Sequence, residues 1–251
     1  MKMVDLILFM GQSNMAGRGD ASLAPVVEEG RGYEYCAVSK PDRLVPVREP
    51  FGVFENNPDG VYEPGMKTGS MVSAFINACY EKTNVPVVGI SCSKGGSSIE
   101  EWEKGTAYFE DAKKRFVSGL RYLAGQEVQV RSKSMAWCQG CTDADRGMEK
   151  EVYKEKTRAF FQNWISLGIE RIFLIQIGNN RDDLNLYVPV QEAQKELAEE
   201  MEQVFLVSDS FRDMAAAGLM KDCYHYKQEG YNLVGGEAGK AAGDLLNGMG
   251  G

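Results

Sequence analysis

Val4-Asp5-Leu6-Ile7-Leu8-Phe9-Met10-Gly11-Gln12-Ser13-Asn14-Met15-Ala16-Gly17 stands near the start of the sequence. Its first seven residues form a nearly continuous apolar run, the pattern of a strand buried on both faces of a sheet. The Gly-Gln-Ser-Asn-Met that follows falls where such a strand hands over to a loop or helix. Ligands of open α/β sheets bind at the carboxyl ends of their strands. Ser13 is presented at such an end, where a following helix would aim backbone N–H groups and its positive dipole end at the hydroxyl. The position suits a nucleophile.

Strand and helix signals alternate along the rest of the chain. Strands are expected at Val4 to Met10, Val85 to Ser91, Ser134 to Cys138, Arg171 to Ile177 and Val204 to Ser208. Helices are expected at Ser70 to Lys82, Tyr108 to Leu123, Lys150 to Leu167, Val190 to Gln203 and Tyr231 to Leu246. This alternation predicts an α/β fold of three layers, αβα, around a flavodoxin-like five-stranded parallel sheet of order 2-1-3-4-5. In that order the first strand's loop opens beside the crevice where the order reverses, and Ser13 would line it. With 251 residues and 43% hydrophobic content, the chain can bury one core, and no linker or repeat divides residues 1–251. The last helix carries Leu233, Val234, Ala238, Ala241, Ala242 and Leu245 on a repeating face that would pin the preceding loop to the body.

Between Arg18 and Gly69 lies a turn-rich segment with prolines at 25, 41, 46, 50, 58 and 64, expected to form part of a cleft's rim. Of its aromatics, Tyr33, Tyr35, Phe51, Phe54 and Tyr62, packing of the loop onto the core is the favoured reading, with stacking on a sugar the alternative.

The sequence has a single histidine, His225, three residues after Asp222. That spacing lets one local turn bring the carboxylate to an imidazole N–H, holding the tautomer while the other nitrogen takes a serine proton. Nucleophile, base and orienter are all available. The balance of 28 Lys+Arg against 36 Asp+Glu, a formal charge of −8, disfavours nucleic acid and anionic membranes as partners. No apolar stretch is long enough to span a bilayer, and cleavage after a leader ending near Met10 would remove or expose Ser13. Six cysteines without a secreted framework spacing predict reduced thiols and a cytoplasmic protein. Oligomeric state is not legible.

Gly11-Gln12-Ser13-Asn14-Met15, Gly95-Gly96-Ser97-Ser98-Ile99-Glu100-Glu101-Trp102, Trp137-Cys138-Gln139-Gly140-Cys141-Thr142-Asp143 and Asp222-Cys223-Tyr224-His225 follow one another in an order that resembles the SGNH (GDSL-like) hydrolases. Within them the chain is similar to the carbohydrate acetylesterases, the branch of sialate O-acetylesterases and family-six acetylxylan esterases. The resemblance implies a serine esterase that removes acetyl groups from a carbohydrate through an acyl-enzyme, with no metal or organic cofactor. It implies Ser13 as nucleophile, His225 as general base and Asp222 as its partner. It also implies an oxyanion hole made by the N–H of Ser13, an N–H at Gly95 or Gly96, and the Gln139 side-chain amide, neutral donors that meet the charge of a tetrahedral intermediate. Gln12, Asn14 and Trp102 are expected substrate contacts. Arg18 and Arg181, beyond strand ends beside Asn179, are candidates for a sugar carboxylate, against the plainer reading of solvated arginines.

The chain departs from the branch in its third block, where Cys141 replaces the usual glutamate of Gln-Gly-Glu-Ser-Asp. A neutral thiol cannot hold neighbouring donors as a carboxylate does. The change leaves three alternatives to weigh: a non-catalytic carbohydrate-binding relative, a zinc site of Cys138, Cys141, Cys223 and His225, and a redox pair at Cys138 and Cys141. A lipase or thioesterase on the same fold would want a long apolar groove that the sequence does not provide.

Overall fold

The computed structural model describes residues 2–248. In chain order it has β1 (Met3–Gly11), α1 (Ser13–Ala16), β2 (Gly32–Tyr35), β3 (Leu44–Pro46), α2 (Val72–Thr83), β4 (Val87–Ser93) and α3 (Ala107–Gly125). Then follow β5 (Gln129–Cys138), α4 (Cys141–Asp145), α5 (Lys150–Ser166), β6 (Arg171–Ile175), α6 (Val188–Glu200), β7 (Val204–Ser208) and α7 (Gln228–Asn247). The strands form one seven-stranded sheet of order β3-β2-β4-β1-β5-β6-β7. Every pairing is parallel except β2 with β3.

The alternation of β1 divides the core. Leu6, Leu8 and Met10 join Phe109 and Phe116 of α3, Phe160 and Trp164 of α5, and Val190 and Leu197 of α6. Ile7 and Phe9 turn to the other face, against Val72 and Phe75 of α2 and Tyr231 and Val234 of α7. Successive strand side chains point to opposite faces, so a run apolar at every position needs helices on both. These are the three layers. Asp5 interrupts the run and is fully buried, but its carboxylate accepts from Arg131 Nε (2.9 Å), Arg131 Nη2 (2.6 Å) and Ser132 Oγ (2.8 Å) of the neighbouring strand. A buried charge persists when paired in this way.

The five expected strands are present in the order 2-1-3-4-5, and two more extend the sheet beyond β4. Those two lie in the turn-rich segment, which is therefore partly sheet. β4 begins at Val87 rather than Val85 because Asn84 is a left-handed helix cap and Pro86 has no N–H to pair. α6 begins two residues early, with Pro189 in its first turn. In α7 the packed face is Val234, Ala238 and Ala242, all fully buried, whereas Leu233 faces solvent. Gly235 and Gly239 make that face flush, since a Cβ on either would come within 2.3 Å of the Met71 or 2.2 Å of the Phe75 carbonyl oxygen on α2. No described helix is long and apolar enough to cross a membrane.

Candidate active site

β1 lies between β4 and β5, so the turn leaving its carboxyl end opens into the crevice between their loops. Gln12 is the extended N-cap residue of the four-residue α1, and Ser13 is its first helical position. The loop between β7 and α7 supplies the other partners. It is closed by a bridge between Met220 and Tyr226 and by the Lys221 N–H donating to the His225 carbonyl at 2.8 Å. His225 Nε2 stands 2.9 Å from Ser13 Oγ, and Nδ1 stands 2.8 Å from Asp222 Oδ2. Asp222 Oδ1 accepts from the N–H groups of Tyr224 (3.0 Å) and His225 (2.7 Å), which fixes the carboxylate in the plane it needs.

Burial holds the His225 imidazole below its ordinary range, helped by the charges of Arg18 and Lys221 and opposed by the Asp222 carboxylate. The ring is neutral at pH 7: its Nδ1–H donates to Asp222, which leaves Nε2 as the acceptor facing the Ser13 hydroxyl. Burial pushes the Asp222 carboxyl up, but hydrogen bonds from the Tyr224 N–H, the imidazole and the His225 N–H outweigh it and hold the group below the usual carboxylate value. It stays ionised.

Asn14 does different work from that expected of it, and Gln12 has a structural role beside its place in the cleft. Asn14 is buried and does not line the cleft: its Nδ2 donates to the Tyr224 carbonyl at 3.0 Å and its Oδ1 accepts from Tyr231 OH of α7 at 2.8 Å. It ties the histidine loop to the serine turn instead of touching substrate. Gln12 does line the cleft, while its Oε1 accepts from the Gly140 N–H at 2.7 Å and joins the ends of β1 and β5.

The N–H groups of Ser13, Gly95 and Gly96 donate to no protein acceptor among the described residues, and all three residues line one cleft of about 490 Å³ with His225. Gly96 has φ +70°, a conformation that favours glycine, and a Cβ at Gly95 would displace the paired tips of Arg18 and Glu63, each 2.3 Å away. Gln139 is not a donor to this space. Its side chain is fully buried, with Nε2 donating to the Ser97 carbonyl at 3.0 Å and to Asp143, and Oε1 accepting from Tyr153 OH at 3.3 Å. Asp143 in turn accepts from Ser98 Oγ (2.6 Å) and the Ile99 N–H (3.0 Å). Gln139 and Asp143 thus brace the turn that carries Gly95 and Gly96 from behind. A larger depression of about 540 Å³ beside Val26, Val47 and Ser73 contains none of these groups.

A family model described as "Carbohydrate esterase, sialic acid-specific acetylesterase" matches residues 3–243. The chain belongs to this carbohydrate esterase family. A probable carbohydrate esterase of Arabidopsis thaliana is 28% identical over 175 residues, a match that takes in 63% of this chain and 62% of that relative's length. Among solved structures, an Arabidopsis thaliana protein superposes with a TM-score of 0.66 at 22% identity, covering 97% of this chain and 98% of that one. A carbohydrate acetylesterase from Xanthomonas citri superposes with a TM-score of 0.62 at 17% identity, covering 97% of this chain and 57% of that one. These structures share the fold.

Within the carbohydrate esterase frame, the remaining expectations divide. Arg18 lines the cleft but its guanidinium is paired with Glu63 and donates to the Gly17 carbonyl at 3.1 Å. Trp102 is fully buried, donating from Nε1 to Ser97 Oγ at 2.9 Å and packing edge-on against Trp137 at 5.7 Å, so it supports the glycine turn from the core and meets no substrate. Arg181 is exposed outside the cleft, bonded to Asp182 at 3.3 Å, and Asn179 donates to the Arg212 carbonyl. The zinc set is not gathered either. Cys223 Sγ faces Asp182 Oδ2 at 2.8 Å, and both His225 nitrogens are engaged. Burial pushes the Cys138 thiol up to about 12 and the Cys141 thiol well above its ordinary value, the opposite of a reactive redox pair.

Lys94, Asp145 and Tyr224 also line the cleft, with Pro64, Met66, Cys141 and Thr142, and no sequence motif marks them as contacts. Of the five aromatics in the turn-rich segment, Tyr62 lines the cleft, whereas Tyr35 and Phe51 are buried core. Its neighbour Glu63, the partner of Arg18, was legible only as a charge.

Proposed function

We propose that this chain is a serine esterase that removes O-acetyl groups from a carbohydrate, with residues 1–251 acting as one SGNH-type hydrolase domain. The observation that carries the proposal is the chain of contacts Ser13 Oγ, His225 Nε2, His225 Nδ1, Asp222 Oδ2, at 2.9 and 2.8 Å, inside a cleft with unengaged backbone donors. Ser13 Oγ attacks the acetyl carbonyl carbon while its proton passes to His225 Nε2. The carbonyl oxygen becomes an oxyanion facing the N–H groups of Ser13 and of Gly95 or Gly96. As the tetrahedral species collapses, the bond to the sugar oxygen breaks and His225 returns the proton to that oxygen. Water then repeats the sequence on the acetyl-enzyme, giving acetate and free Ser13. Asp222 stays ionised throughout and supports the imidazolium.

Sialic acid and xylan-type oligosaccharides are the substrate classes the family and the resemblance suggest. Six free cysteines support a reducing, cytoplasmic setting. The test is hydrolysis of p-nitrophenyl acetate, butyrate and octanoate by wild type and Ser13→Ala side by side. Cleavage that falls with acyl length and drops below about a thousandth of the rate in Ser13→Ala is expected. Retention of more than that by a folded Ser13→Ala overturns the nucleophile assignment.

A further inference from the structure

The charges lining the cleft cancel. Arg18 is bound to Glu63, and Lys94, which donates to the Gly95 carbonyl at 2.7 Å, is offset by Asp145 in the same lining. Asp145 accepts from Tyr187 OH at 2.7 Å, so it is held in place beside the cleft. A cleft that selected a sugar acid would carry a surplus cation with an open fork, and here the fork of Arg18 is already occupied. Pro64 and Met66 also line the cleft, but beside these charged side chains they leave only a short apolar strip for an acyl chain.

At the mouth the lining turns aromatic. Tyr62 is 46% exposed and Tyr224 is 42% exposed, and both line the cleft that holds Ser13 and His225. Their backbones are fixed. The Val61 N–H donates to Asp111 Oδ2 at 2.9 Å and the Glu63 N–H to Asn56 Oδ1 at 2.9 Å, so the chain is held on either side of Tyr62. The Tyr224 N–H and carbonyl are bound to Asp222 and Asn14, and its ring meets the His225 imidazole edge-on at 4.6 Å. Neither phenol has a protein hydrogen-bond partner among the described residues. Exposed rings on rigid backbones, each with a spare hydroxyl, suit a ring that is apolar on its C–H face and hydroxylated at its edge.

We propose that Tyr62 and Tyr224 form the subsite for the ring of an uncharged acetylated sugar, with Tyr62 as the residue that sets preference for a sugar over a simple ester. This rests on the esterase reading above. It places an uncharged sugar ahead of a sugar acid as substrate. Tyr62 is the cleaner probe, because Tyr224 touches the base.

The experiment measures kcat and KM for wild type, Tyr62→Ala and Tyr62→Trp, each first shown to melt cooperatively, on an acetylated xylo-oligosaccharide, an O-acetylated sialic acid and ethyl acetate. Tyr62→Ala is expected to lower the kcat/KM ratio of xylo-oligosaccharide to ethyl acetate about tenfold through KM, the size of one aromatic contact, and Tyr62→Trp to restore it to within about twofold. A ratio that Tyr62→Ala leaves unmoved overturns the subsite. A wild-type preference of about tenfold or more for the acidic sugar overturns the uncharged ring. Absence of Ser13-dependent cleavage of every ester fails the esterase reading itself, an outcome distinct from the other two.

Discussion

Replacing Asn14 with leucine removes a side chain that joins the serine turn, the histidine loop and α7. Leucine keeps the branched shape of asparagine with bulkier methyl groups, so both hydrogen bonds are lost and some crowding is added at this buried site. It strands the Tyr231 hydroxyl, which is fully buried, and the Tyr224 carbonyl, which lies closer to solvent. An unpaired buried polar group costs about 1–3 kcal/mol, and water can reach the Tyr224 end, so a loss of roughly 2–4 kcal/mol is expected by urea unfolding. Tyr231→Phe alone strands only Asn14 Oδ1. In the double variant the orphaned hydroxyl is gone, and the two losses should fall short of additive by about 1 kcal/mol. Turnover carries the sharper reading. Tyr224 precedes His225, and releasing its carbonyl frees the base from its 2.9 Å approach to Ser13. Misplacement on the order of 1 Å costs about a hundredfold in rate. A fall of at least about tenfold in kcat on p-nitrophenyl acetate is expected, with KM little altered, because Asn14 is outside the cleft lining. Asn14→Leu with wild-type kcat, or with a raised KM and intact kcat, would refute the positioning role.

The acid limb of kcat/KM should fall at a pH below the ordinary 6.5 of histidine, since burial lowers the His225 value. A midpoint above 6.5 in a pH–rate profile would contradict the buried, neutral base. Trp102→Phe keeps the aromatic packing but takes the indole N–H from Ser97, so kcat should drop while KM holds, and an unchanged kcat would show that the glycine turn needs no such brace. Glu34 is buried on β2 beside Glu55, and burial first, then that like charge, push its carboxyl up to about 8. A raised folded value means stability that is full below about 4.5 and is lost as pH rises through 8, roughly 3 kcal/mol of it by pH 7. Urea midpoints of Glu34→Gln should be flatter than wild type between pH 5 and 8, and parallel curves would exclude Glu34 as the source.

What was legible in the sequence was whatever local pattern dictates. The buried strands β1 and β6 and the edge strand β7 are apolar runs, and Asp222 with His225 is a contact closed within one turn, so both could be read without tertiary knowledge. β2 and β3 could not, being four and three residues long, with Glu34 buried in the middle of β2 where alternation calls for an apolar residue. Trp102 and Gln139 stand close in sequence to residues that line the cleft, but their side chains turn into the core, and Arg181 lies outside the cleft. Which way a side chain leaves a loop depends on the partners it finds: Ser97 for the indole, Ser97 and Asp143 for the amide, Asp182 for the guanidinium. Tyr62 was legible as an aromatic in a loop, but its exposure follows from Val61 and Glu63 being tied on either side of it.

The flush seam of α7 against α2 ties the chemistry to the order in which a ribosome releases the chain. Ser13 emerges 212 residues before His225, and the tie that holds the base beside it, from Tyr231 of α7 through Asn14 to the Tyr224 carbonyl, exists only once α7 has been made and seated on α2. Until that helix seats, a nascent chain holds a nucleophile with nothing to deprotonate it. Ester cleavage would then report the seating of α7, silent through synthesis of the sheet and switched on when the seam closes.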